Sequence, residues 1–386
     1  EDIRLLGTFL GRVIKDQEGP AFFEIVERLR LLSKNTLLDK NKSKVFSKIS
    51  KEVKKLSPEK TFKITRAFSH ILNLMNLAES LDASRKLNEY ENPYFKSKNQ
   101  NLFIEDIIEG LFKNKNISNN KIYDLATKLD IGIVLTAHPT EVKRRTLIQK
   151  YANLISIMEQ RHLYKKYPSK IIELDRKLYS EIAIIWKTDE LKRTKPSPLD
   201  EAKWGLAVIE DSLWDTIPKV YKRLNDIFRK NLNKDLPRNF NPIQFGSWMG
   251  GDRDGNPNVT SEVTKKVILF SRWQAAKLYE KELTQLIQDL SMEECSPAIS
   301  RVTGKSFEPY RVYLRPLRDK VRNTHQLIEA HINFNKPLDE KKLLQDKYEI
   351  INPLREVRSS LNQNKGQHIA NADLLDLIRR VRCFGI

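Results

Sequence analysis

The chain has 386 residues, 40% of them hydrophobic and 31% charged, which is enough to bury a large core as two domains or one large one and excludes a disordered tail. No apolar run approaches the roughly 18–20 residues of a membrane span, and the opening EDIRLLGTFL, acidic and without a small-residue cleavage pattern, does not read as a secretory signal. With 69 Lys and Arg against 50 Asp and Glu the formal charge is +19, which favours anionic partners in general, yet the lysines are intermixed with acids along the whole chain, the pattern of a solvated surface rather than a focused groove.

The chain opens on Glu rather than Met, which is read as trimming. In EDIRLLGTFLGRVIKD, Ile3, Leu6, Leu10, Val13 and Ile14 recur at helical spacing. Gly19-Pro20 breaks the segment and AFFEIVERLRLL resumes it, predicting an αα-hairpin. Val45, Ile49, Val53 and Leu56 make a stripe over 45–56, and RAFSHILNLMNLAES (67–81) makes another. Both predict surface helices docked by their apolar stripes, although a basic amphipathic helix also suits an anionic membrane. Polar stretches at 85–100 and 113–121 read as connections, and no period of 20–50 residues recurs.

His70 lies among apolar neighbours and is assigned to packing; His162, His325, His331 and His368 have no partners at metal-ligand spacing. Cys295 and Cys383 are far apart, so neither a disulfide framework nor a zinc site is expected, and a reducing cytosol is the simplest setting.

At Asp130 the character changes, which places a boundary between a helical region, 1–129, and a second region, 130–386. IGIVL (131–135) is a β-branched run of strand length, TAHP ends it, and Thr140 to Met158 carries a helical stripe. The grammar recurs at 243–263: IQFGSW is a strand candidate, MGGDRDGNPN a turn, and Thr260 an N-cap for a helix from Ser261. Beyond residue 275 the pattern is again helical. The fold expected is therefore mainly α, many helices around the first strands of an incomplete (β/α)8, TIM-type barrel, with the remaining strands supplied by a C-terminal half.

A histidine between the carboxyl end of a strand and a helix start, as at His138, lies where catalytic residues of β/α folds gather. The helix dipole there disfavours imidazolium, so a neutral His138 suits a general base acting on an anionic substrate; a capping or packed histidine is the plainer alternative. Lys143, Arg144 and Arg145 follow, and guanidiniums can clamp a phosphate, though neighbours on a helix point about 100° apart and a solvated face is the alternative. SWMGGDRDGNPN (247–258) packs three glycines, two aspartates and an arginine into twelve residues. A calcium loop counted from Asp252 would need Gly where Pro257 stands and Glu where Val263 stands, so that reading fails. Trp248 is read either as core or as the wall of a pocket.

Four blocks, LTAHPTEVKRRT (135–146), WKTDELKRTKPSPLDEAKWG (186–205), FGSWMGGDRDGNPNVT (245–260) and IANADLLDLIRRVRCFG (369–385), together resemble the phosphoenolpyruvate carboxylase family. The resemblance runs end to end and is loose at 36–60, 85–125 and 335–365. It implies a cytoplasmic, allosteric, homotetrameric lyase that turns phosphoenolpyruvate and bicarbonate into oxaloacetate and phosphate with Mg2+ or Mn2+, a fixation of carbon dioxide that feeds the tricarboxylic acid cycle.

By the same resemblance His138 is the residue that takes a proton from carboxyphosphate. Trp248, with Gly250, Gly251, Asp252 and Arg253, belongs to the substrate pocket, and Arg144 and Arg145 bind an activating sugar phosphate. Lys195 departs from the arginine many members carry before PSP. The family's metal-binding carboxylates, second essential histidine, lysine and mobile glycine-rich loop are expected outside these 386 residues, so no metal ligand is assigned here and the chain alone is expected to be inactive. Neither nucleic acid nor membrane is an expected partner. The competing expectation is a noncatalytic basic helical module that binds nucleic acid or anionic lipid.

Overall fold

The structure, a computed structural model, describes residues 1–38, 42–90, 104–136, 145–189 and 197–386. It is mainly helical and divides into two compact units, Glu1–Lys98 with Lys143–Arg193, and Asn99–Val142 with Thr194–Ile386. Each unit is assembled from two separate stretches, whereas the change of sequence character at residue 130 falls within the second.

The first unit holds α1 (Asp2–Glu18), α2 (Pro20–Leu38), α3 (Lys42–Val53), α4 (Pro58–Tyr90), α7 (Arg145–Leu163) and α8 (Pro168–Lys187). The hairpin read from Gly19-Pro20 is present: Gly19 takes φ 89°, a backbone state that only glycine adopts without strain, and the helix resumes at Pro20. Leu6, Leu10, Val13 and Ile14 of α1 are buried as their spacing predicts, packed with Leu74 of α4, Leu154 and Met158 of α7, and Leu174 and Leu178 of α8. Ile3, counted in the same stripe, is exposed. Two sequence expectations are corrected. The helix read over 67–81 runs over Pro58–Tyr90, so 85–90 is helix and not connection, and the connection expected at 113–121 shrinks to 114–118 between α5 (Ile104–Lys113) and α6 (Asn119–Thr127). His70 is fully buried, its Nδ1 3.4 Å from the Tyr151 hydroxyl and its ring edge-on to Trp186, which agrees with a packing role.

The second unit contains α5, α6, β1 (Ile131–Leu135), α9 (Pro198–Val208), α10 (Trp214–Leu232), β2 (Ile243–Ser247), α11 (Ser261–Asp289), α12 (Pro297–Thr303), α13 (Pro309–Phe334), α14 (Tyr348–Gln363), α15 (Gln367–Ala370) and α16 (Asp373–Phe384). Its main core joins Tyr279 and Leu283 of α11, Tyr310 and Leu314 of α13, Leu354 and Val357 of α14, and Leu377 and Val381 of α16. Arg380 is buried beside this core with every arm bonded: Nε donates to the Trp214 carbonyl at 2.8 Å, and the two terminal nitrogens reach Glu282 at 2.9 Å and Asp215 at 3.2 Å. A buried guanidinium is tolerated only when satisfied in this way.

Both strands stand where the sequence puts them and pair in parallel, Ile131 opposite Ile243 through Leu135 opposite Ser247. On one face Ile243 and Phe245 pack with Ile217 and Tyr221 of α10 and Cys383 of α16, and Phe245 stacks on Phe384 at 5.2 Å. The other face carries Val134 and Gly246, and Ile131, Ile133 and Val134 are all exposed. Parallel sheets are ordinarily covered on both faces. Two parallel strands are compatible with a layer as well as with a barrel.

Candidate functional site at the strand ends

The ladder between β1 and β2 closes with one bond past the strands: the Trp248 amide donates to the Leu135 carbonyl at 2.9 Å. The chain then turns sharply. The amides of Gly251 and Asp252 both donate to the Trp248 carbonyl, at 3.0 and 2.9 Å, and Gly250 takes φ 68°. A Cβ on Gly250 would lie 2.5 Å from Val267 Cγ2, so both the backbone state and the approach of α11 demand glycine there. Thr264, one turn into α11, donates its hydroxyl to the Gly250 carbonyl at 2.7 Å. Thr260 caps that helix, accepting from the Val263 amide as the sequence predicts.

Met249 is the anchor beneath the turn. Its side chain is buried with Ala202 and Leu206 of α9 and Val267 of α11, and its sulfur fills the space beside Gly205, 2.0 Å from where a Cβ would stand. Trp248, one residue earlier, is 55% exposed. The turn accounts for the difference, because it carries Met249 against α9 and α11 while Trp248 stays at the end of the ladder. A large indole held at the mouth of a parallel sheet by a bonded turn is exposed apolar surface of the kind that lines a binding crevice.

Asp252, Arg253 and Asp254 are exposed on the far limb of the turn. The Asp252 carboxylate, within hydrogen-bond reach, raises the Asp254 carboxyl above its ordinary range. Among the described residues no three His, Cys, Asp or Glu side chains converge to hold a metal ion.

The structure therefore brings together Trp248, Gly250, Gly251, Asp252 and Arg253 of the expected site in one turn. His138, Arg144 and Lys195 lie outside the described residues, and Arg145 opens α7 with its side chain also outside them. Two residues that build the turn were not singled out from sequence. Gly205 closes the block WKTDELKRTKPSPLDEAKWG, and its purpose, to admit Met249, appears only when the two segments meet. Thr264 gives no sequence signal beyond its place on the helix.

The sequence matches the phosphoenolpyruvate carboxylase family over residues 1–386. The chain belongs to the phosphoenolpyruvate carboxylase family. Curated relatives named phosphoenolpyruvate carboxylase include those of Acinetobacter baumannii, 39% identical over 390 residues, Hahella chejuensis, 39% over 391, and Haemophilus influenzae, 37% over 389. In each case all of this chain is covered and 43% of the relative, so the chain spans under half the length of those phosphoenolpyruvate carboxylases and corresponds to their N-terminal part.

Proposed function

We propose that these residues form the N-terminal part of an enzyme that joins phosphoenolpyruvate and bicarbonate to give oxaloacetate and phosphate. The observation that carries this is the family match across all 386 residues. In the reaction proposed, the phosphoryl group passes to bicarbonate, leaving the enolate of pyruvate and carboxyphosphate. His138 accepts the proton of carboxyphosphate, whose breakdown releases phosphate and carbon dioxide. The enolate carbon then attacks carbon dioxide to form oxaloacetate. Trp248 walls the space in which this happens, and its apolar face keeps water from protonating the enolate. The divalent metal of the family, Mg2+ or Mn2+, has no ligand set among the described residues, and no step is drawn through it.

Arg144 and Arg145 are proposed to bind a phosphorylated activator, and the assembly to be a cytoplasmic homotetramer whose other half completes the barrel begun by β1 and β2. Among the described residues no helix is long and apolar enough to cross a membrane. The basic-module reading gains no support from the comparisons, and many lysines are engaged in ion pairs along helix faces, as with Lys170 and Lys177 on Glu173.

The test is made on the full-length protein. His138→Asn is expected to leave the circular dichroism and melting midpoint unchanged and to remove oxaloacetate formation in a malate dehydrogenase-coupled assay. The same assay on the isolated 386 residues is expected to register none. Carboxylation retained by the His138 variant would show the histidine to be structural.

A further inference from the structure

The second unit holds a cavity of about 510 Å³ that none of the residues of the Trp248 turn lines. Four guanidiniums line it: Arg238 from the turn before β2, Arg355 and Arg358 from α14, and Arg382 from α16. No carboxylate is among the residues that line it. Several other arginines of this unit are paired, Arg223 with Glu105, Arg322 with Glu280 and Arg379 with Asp376, and what sets the four apart is that they line one cavity.

The cluster is fixed in place. Arg358 donates from Nε to the Ala370 carbonyl at 3.2 Å and from a terminal nitrogen to Asn371 Oδ1 at 2.6 Å. Arg382 donates to the Arg238 carbonyl, and its own carbonyl accepts from Asn241. These bonds hold two guanidiniums near each other at the expense of mutual repulsion. Burial, then the charges of Arg238 and Arg379, lowers the Arg358 pKa from its ordinary value, and burial with Arg355, Arg358 and Arg379 does the same to Arg382. Asp235 acts on Arg238 from outside the lining, and four positive charges convened with no carboxylate among the residues that line the cavity leave a strong local potential.

We infer that this cavity is a binding site for a small organic molecule bearing at least two oxyanion groups, phosphoryl or carboxylate. Guanidiniums bind such groups bidentately, and four of them approaching from three separate segments match more than one such group. The volume exceeds what a bare inorganic ion needs, and Asn362 and Leu375 at its wall give an organic body both an amide and an apolar contact. The inference uses no residue to which the proposed reaction assigns a role, so its failure would leave that reaction untouched.

The experiment uses the full-length protein and two probes, inorganic pyrophosphate and citrate, each titrated calorimetrically. Arg238 and Arg355 are exposed and among the described residues their side chains donate no hydrogen bond, which makes Arg238→Gln with Arg355→Gln the least disruptive double variant. At least one probe is expected to bind wild type, and the double variant to weaken it at least about tenfold for the charge-assisted bonds lost. The tighter probe assigns the source, phosphoryl or carboxylate. Arg355→Lys, which keeps charge and loses the fork, is expected to fall between the two and guards against a folding defect in the double variant. Absence of binding by both probes, or binding that the double variant leaves unchanged, overturns the inference. Binding to the isolated chain but not to the full-length protein overturns it as well, since the cavity would then be filled by the protein's own acidic residues.

Discussion

Gly250 and Trp248 sit two residues apart, and substitutions at them separate stability from activity. Alanine at Gly250 would combine a positive φ, costing about 1–2 kcal/mol for a residue with a Cβ, with a Cβ 2.5 Å from Val267 Cγ2, costing about 1–3 kcal/mol more. Gly250→Ala is therefore expected to lower the free energy of unfolding by about 2–5 kcal/mol in urea titration. Trp248→Ala removes a side chain that is more than half exposed, so stability should stay within about 0.5 kcal/mol while oxaloacetate formation by the full-length enzyme falls at least about tenfold. At the same scale, Cys383 is buried against Ile217 and Tyr221, and burial pushes its thiol from 9.0 up to about 12, against a smaller downward pull from Tyr221. A raised acid pKa means that the unfolded chain gives up this proton first. The contribution is full below pH 9 and is lost as pH rises toward 12. Stability measured by urea midpoint should decline over that window, and less steeply in Cys383→Ala.

Among the elements, the caps decide where helices begin. α9 starts with a reciprocal pair: Ser197 Oγ accepts from the Asp200 amide at 3.2 Å, and the Asp200 carboxylate accepts from the Ser197 amide at 3.1 Å. Ser197→Ala is expected to cost about 1 kcal/mol, read as a shift in urea midpoint with unchanged slope. Thr260 was legible as a cap because a turn of Gly, Asp and Asn precedes it and a helical run follows. Ser197 stands between Pro196 and Pro198 in a polar stretch with no apolar period before it, so its capping role shows only in the reciprocal bonds with Asp200. The ends of α4 were illegible for a different reason. Its central stripe alternates with the helical period, but its tails are held by charge, Lys63 to Glu59, Lys86 to Asp82 and Arg85 to Asp2, and pairs of that kind leave no apolar pattern to read. The strands, by contrast, were plain: five β-branched or aromatic-rich residues between breakers, and their parallel pairing followed from the helices after each.

For the whole chain, the sequence showed which residues face a core but not which cores they share. That Lys143–Arg193 joins the unit of Glu1–Lys98, across a strand belonging to the other unit, depends on side-chain packing between segments far apart in sequence. The same distance hid the four-arginine cavity, whose members come from positions 238, 355, 358 and 382 and look in isolation like ordinary surface charge. The turn at Trp248 was legible because its chemistry is contiguous.

The open strand pair has a practical side. Ile131, Ile133 and Val134 lie uncovered on a strand with one unpaired edge among the described residues, and such a ribbon recruits backbone from neighbouring molecules. Expressed without the rest of the protein, the chain is expected to self-associate through this ribbon despite its high charge, seen as light scattering that grows with concentration. Val134→Lys, placing a charge on the bare face, should clear the solution at the same protein concentration, and the ribbon would thereby be marked as a surface evolved to be hidden.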